Sequence, residues 1–170
     1  MKKQHGNHDA AKRFLFVCYG TLMLYLLFVR GRIVESELSY WQRVALNYNL
    51  TPLRTVRNYW DILARPEHYL DKWGAAAIYK EQAKSAVVNL VGNVVMFVPL
   101  GMLLPAIWQR LRRFWKTVLL GAGVIVAVEI AQLLSLRGRC DVDDLILNLI
   151  GIAAGYVLWR SGSFLHCKRR

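Results

Sequence analysis

The sequence predicts an all-α polytopic membrane protein, a four-transmembrane-helix bundle with one long extracytoplasmic loop between helices 1 and 2. Three observations predict it. Hydrophobic residues make up 55% of the 170-residue chain while the formal net charge is +12, a combination foreign to disordered chains and to ordinary soluble domains. The Lys and Arg residues gather at the ends of apolar runs instead of forming a patch on a folded surface, which excludes a nucleic-acid partner and favours membrane lipids. Four of these runs approach the roughly 20 residues that span a bilayer.

The first helix falls at about residues 14–34. Phe14 to Val29 is uninterrupted and bracketed by Lys12, Arg13, Arg30 and Arg32, and the arginines can snorkel to let it lengthen. No small-x-small cleavage site follows, so the segment reads as an anchor and not as a removed signal. The loop, about residues 35–85, carries Tyr40, Trp41, Tyr59, Trp60 and Trp73 among other aromatics, the composition of a segment lying along the headgroup level. It has no regular apolar period and cannot bury much of a core, so it reads as a partly helical re-entrant or interfacial part of one domain over residues 1–170. The second helix, about 86–108, contains Asn89, Asn93, Pro99 and Pro105, which a span tolerates when its neighbours satisfy the freed backbone groups. The third, about 117–136, contains Glu129 and Gln132. The fourth, about 142–159, begins on an acidic turn, and Asp141, Asp144, Asn148, Gly151 and Gly155 recur on one of its faces. Gly151 and Gly155 have the GxxxG spacing that permits close helix contact.

Charge sets the orientation. Between the second and third helices stand Arg110, Arg112, Arg113 and Lys116 with no acid, and Lys2, Lys3, Lys12, Arg13, Arg160, Lys168, Arg169 and Arg170 flank the first helix on its N-terminal side and the fourth on its C-terminal side. The positive-inside rule then puts both termini in the cytoplasm. At about 1.5 Å per residue, Asn93, Glu129 and Asn148 then lie roughly 10 Å below the outer surface. Asn89, Gln132 and Asp144 lie a turn nearer the water.

A charge near the bilayer centre costs at least about 2.5 to 3.5 kcal/mol, so Glu129 is neutral, paired or beside a water-filled cavity. One reading makes this polar cluster a set of interhelical hydrogen bonds. Another makes it a site. A desolvated carboxyl group exchanges protons nearer to pH 7 than one in water, which suits Glu129 and Asp144 to acid/base work. Asn89, Asn93, Gln132 and Asn148 would orient a polar group, and Arg137 and Arg139 would hold a phosphate or carboxylate. Asp141, with Glu129 and Asp144, offers oxygen ligands suited to magnesium or calcium. The plainer alternative pairs Arg137 with Asp141 or Asp143 in a solvated turn. A proton-coupled transporter would require an oligomer. Cys18, Cys140 and Cys167 are far apart and read as free thiols, and Cys140 has no neighbouring histidine for nucleophilic chemistry. His5, His8 and Asp9 form a metal-capable or simply solvated polar segment, and Asn49-Leu50-Thr51 matches a glycosylation sequon.

The same residues carry a resemblance. Asn49-Leu50-Thr51-Pro52-Leu53, the run from Asn89-Leu90-Val91-Gly92-Asn93 to Phe97-Val98-Pro99-Leu100-Gly101, and Glu129-Ile130-Ala131-Gln132 leading to Arg139-Cys140-Asp141-Val142-Asp143-Asp144 and Asn148-Leu149-Ile150-Gly151 resemble the VanZ-like family. These are small bacterial membrane proteins named for teicoplanin resistance. Two departures stand out: Leu53 occupies a position where an aromatic is frequent, and Tyr59 to Ala83 exceeds the compact members. The resemblance implies the bacterial cytoplasmic (inner) membrane, a link to glycopeptide susceptibility and action on or near a lipid-linked cell-wall precursor at the outer leaflet. It implies no agreed reaction. A noncatalytic protein that binds an envelope lipid or the antibiotic's lipid tail stands beside the enzyme reading.

Overall fold

A computed structural model describes residues 2–29 and 37–167, with side chains described over 9–29 and 37–162. Four of its helices are long and apolar enough to cross a bilayer, over Asp9–Val29, Ala76–Ile107, Phe114–Ser135 and Val142–Gly162. Helix α1 (Lys2–Leu24) runs into a π-helical turn, Tyr25–Val29. Helices α2 (Tyr40–Leu46), α3 (Arg54–Ala64) and α4 (Pro66–Trp73) are short, and α5 (Ala76–Ile107), α6 (Phe114–Ser135) and α7 (Val142–Cys167) complete the bundle. The strands β1 (Tyr48–Asn49) and β2 (Cys140–Asp141) are two residues each and pair in parallel, Asn49 beside Asp141.

Three boundaries differ from the apolar runs for one reason, the first being that α1 begins at Lys2 and not at about residue 14. Hydropathy marks where a helix is greasy, not where its hydrogen bonds stop. Helix α5 begins at Ala76, ten residues before the expected start, because Ala76 to Ser85 has good helix formers with Lys80, Glu81 and Lys84 among them. At about 1.5 Å per residue its 32 residues exceed the ~30 Å hydrocarbon core, so its first turns stand clear of the apolar section. Helix α7 likewise continues past residue 159 to Cys167. The segment expected as a loop is mostly short helix. Ser39 and Gln42 form a capping box at α2, with Gln42 Oε1 accepting from the Ser39 N–H at 2.9 Å. Pro66 opens α4, and Gly74 ends it at a φ of 63°.

Helices α5 and α7 run parallel and make the principal contact. A Cβ at Gly151 would overlap the Val94 carbonyl oxygen, one at Gly155 that of Val98, and one at Gly101 that of Ile152. The GxxxG face therefore lies backbone to backbone on α5. Ile152, fully buried, fills the space where α6 joins, against Gly121. Helix α1 leans on α5: the Tyr19 hydroxyl donates to the Met96 carbonyl at 2.8 Å, Met23 enters the core beside Phe97 and Leu100, and Phe16 meets Trp108 edge to face. At the other end of α6, Thr117 Oγ1 donates to the Leu111 carbonyl and the Tyr156 hydroxyl to that of Arg112, which fixes the basic turn between α5 and α6.

Candidate functional site

The acidic run at the start of α7 organises the end of the bundle where α6 gives way to α7. Asp143 is fully buried, and its carboxylate accepts from the backbone N–H groups of Leu53, of Thr55 at 2.7 Å and of Val56 at 3.0 Å. The first turn of a helix leaves its N–H groups without intrahelical partners. Asp143 therefore caps α3 from across the molecule, where Leu53, in the left-handed region at a φ of 61°, has no side-chain cap of its own. Asp141 accepts from Asn49 Nδ2 at 3.1 Å and Thr55 Oγ1 at 2.6 Å, and its own N–H donates to Glu129 Oε2 at 3.2 Å. These bonds and the β1–β2 pair hold residues 47–57 over the end of the bundle.

Beneath this roof lies a cavity of about 310 Å³, large enough for a small polar group. Asn89 and Asn93 of α5, Glu129 and Gln132 of α6, and Asp144 and Asn148 of α7 line it, with Arg139 from the turn and Thr55 and Tyr59 from α3. The three residues expected at one depth, Asn93, Glu129 and Asn148, do converge. Asn93 Nδ2 donates to Asp144 Oδ1. Glu129 is 7% exposed and Asn148 4%. The Asn148 Oδ1 is buried with no hydrogen-bond partner, a deficit that native interiors rarely leave. Gln132 Nε2 donates to the Leu27 carbonyl within the π-turn at 3.0 Å, tying α6 to α1. Asn89 bonds the Ser85 carbonyl and the Tyr59 hydroxyl. Burial and the nearby Asp144 and Asp141 push the Tyr59 phenol up, against a smaller opposing effect of Arg139. Tyr59 therefore keeps its proton as a donor.

The expected site residues thus separate. Arg137 stands outside the lining: after Leu136, left-handed at a φ of 53°, the N–H groups of Arg137 and Gly138 both turn back to the Gln132 carbonyl. The chain reverses there and carries Arg139 into the wall. Asp141 reaches the cavity edge, but its oxygens serve the roof. Glu129, Asp144 and Asn148 are oxygen donors of the kind magnesium takes, yet among the described residues no group of three or more His, Cys, Asp or Glu is arranged to hold a metal ion. The solvated turn does not hold, since Asp141 is 4% exposed and Asp143 not at all. Nor does the sequon, because Asn49 is 3% exposed and its side chain is engaged by Asp141, Thr55 and the Thr51 N–H. His5 and His8 lie outside the residues with described side chains, and Cys18 and Cys140 are free thiols. Sequence reasoning missed Thr55, Tyr59 and the capping role of Asp143. The available signal was the Asn49-to-Leu53 motif, whose partner in the acidic run is some 90 residues away.

A model of the VanZ/LLP1 family matches residues 16–165. The chain belongs to the VanZ/LLP1 family. No curated protein and no solved structure gives a significant match. The matched span of this VanZ/LLP1 member runs from α1 through α7 and so takes in every residue of the cavity wall.

Proposed function

We propose that the cavity binds the polar group of a lipid-linked cell-envelope molecule at the outer leaflet of the bacterial inner membrane, and that this underlies a link to teicoplanin and other glycopeptide susceptibility. One observation carries the reading: Asn93, Glu129, Asp144 and Asn148 from three apolar helices, with Arg139 above them, surround one cavity in which the buried Asn148 Oδ1 has no donor. A network serving only the bundle would satisfy its own members, since each unpaired buried acceptor costs about 1–3 kcal/mol. The set is complementary to a group that brings its own donors, such as hydroxyls or an amine, beside a phosphate or carboxylate for Arg139. The outer-leaflet assignment is supported by the acid-free basic turn Arg110 to Lys116 at the opposite end of α6. In cells lacking the native copy, Glu129→Gln, Asp144→Asn and Arg139→Lys are compared for teicoplanin susceptibility at matched membrane abundance. Loss of the phenotype in Glu129→Gln and Asp144→Asn supports acid/base work at the site. Full function in all three sinks it.

A noncatalytic binder is favoured by the Asn93–Asp144 bond, which an Asn at 144 can also accept. On that reading Asp144→Asn is silent while Asn148→Leu, which removes the unpaired acceptor, abolishes function.

A further inference from the structure

At the basic end of the bundle, opposite the polar cavity, a recess of about 540 Å³ lies between α1, α5 and α7. Met102 and Ala106, on one face of α5, and Leu158 of α7 give it an apolar lining. Met102 is 39% exposed and Leu158 54%, so the recess opens to the bilayer. Gly162 of α7 adds no bulk at its edge, where a Cβ would meet nothing within 4 Å. Two cations from separate elements border it, Lys12 of α1 and Arg112 of the turn between α5 and α6, and among the described residues no acid lines it. The wall is fixed in place. The buried Tyr156 donates its hydroxyl to the Arg112 carbonyl at 2.6 Å and packs against Phe114 and Trp159, so the backbone that carries Arg112 is pinned to α7 beside the recess. Trp159, itself in the lining, is an amphipathic ring of the kind that sits at headgroup level. Lys12 Nζ also meets Asp9 at 3.3 Å, an exposed pair of the kind that contributes little and is readily exchanged.

We infer that this recess binds an anionic phospholipid of the leaflet on the basic side, its phosphate between Lys12 and Arg112 and an acyl chain along Met102, Ala106 and Leu158. Charge complementarity selects the head: a guanidinium fork and an ammonium without a lining acid suit a phosphate and gain nothing from an uncharged group. The apolar lining selects a lipid over a soluble phosphate, because a chain contributes burial that the head alone lacks. The positive-inside rule puts this end in the cytoplasm, where the membrane surface is negative and basic pockets between spanning helices take anionic heads. The site shares no residue with the polar cavity and does not depend on the function proposed for it. A lipid seated there bridges α1 to the α5–α6 turn.

The test counts lipids retained per chain by native mass spectrometry after the detergent-solubilised full chain is incubated with dioleoyl phosphatidylglycerol or with dioleoyl phosphatidylcholine. Lys12→Gln with Arg112→Gln removes both cations of the recess. Arg113→Gln with Lys116→Gln removes the same charge from neighbours that do not line it. The expected result is that the wild type and the second double variant retain about one more phosphatidylglycerol than phosphatidylcholine per chain, and that the first double variant loses this excess. Undiminished retention in the first double variant overturns the inference, and so does equal retention of the two lipids by the wild type. Equal loss in both double variants assigns the attraction to the net charge of this end and overturns it as well. Binding of glycerol 1-phosphate as tightly as the lipid assigns the recess to a soluble phosphate, which also overturns it.

Discussion

Asp143 accepts three backbone N–H groups of the roof segment from full burial, so its loss strands donors that cost about 1–3 kcal/mol each when left unpaired. Asp143→Ala is expected to lower the thermal midpoint in detergent and to open residues 47–57 to protease, with Asp143→Asn intermediate. An unchanged digestion pattern would remove Asp143 from this role. Asp144, one residue on, faces Asn93 and the cavity. Neighbouring acids in an acidic turn look alike in sequence, and only the partner each meets divides them. Cys140 offers a local probe of the same charges. Burial, then Glu129, Asp141 and Asp144, push its thiol up, so less thiolate is present at a given pH than for an ordinary cysteine. In a background with Cys18 and Cys167 replaced by serine, Cys140 is expected to alkylate slowly at pH 8 and faster as pH rises. Glu129→Gln removes one negative neighbour and should speed alkylation at fixed pH, whereas an unchanged rate would mean that Glu129 carries no charge there.

At the scale of elements, the GxxxG face of α7 was visible as a spacing, but its receiver was not. Val94, Val98 and Gly101 on α5 carry no pattern that marks them as a docking track, since close approach is a property of two backbones and not of one run of side chains. Gly151→Val and Gly155→Val are expected to destabilise the bundle by at least about 1–3 kcal/mol, the usual cost of overpacking, read as a lower midpoint in the same thermal assay. Gly92 and Gly123 have open space where a Cβ would stand, so Gly92→Ala and Gly123→Ala should be tolerated or gain up to about 1 kcal/mol of helix propensity. Equal behaviour of the two pairs would contradict the α5–α7 contact. The four spans were legible because period and length report burial in lipid directly. The docking of α3 over the bundle was not legible, because it depends on a backbone cap from Asp143 and side-chain bonds to Asp141 that lie far along the chain.

Over the whole molecule, basic residues without acids gather at one end, around Arg110 to Lys116, and the cavity lies at the other. In a cysteine-free protein, single cysteines at Leu46 and at Arg112 should differ in whole cells: an impermeant thiol reagent is expected to label Leu46→Cys and spare Arg112→Cys, and the reverse would invert the proposed orientation. Helix rise counted along the sequence puts Asn93, Glu129 and Asn148 at one level, and they do line one cavity. It could not supply the roof, because helix rise gives depth along an axis but says nothing about what crosses above it. It also could not separate Arg137 from Arg139, whose difference comes from the left-handed turn at Leu136. The central claim is that the cavity is a lipid's head site. An electron-density map of the protein crystallised from bacterial lipid tests it most directly: density for a polar group within hydrogen-bond distance of Asn148 Oδ1 and Arg139 is the predicted result. A cavity holding only water, with Asn148 Oδ1 satisfied by a neighbouring side chain, would contradict it.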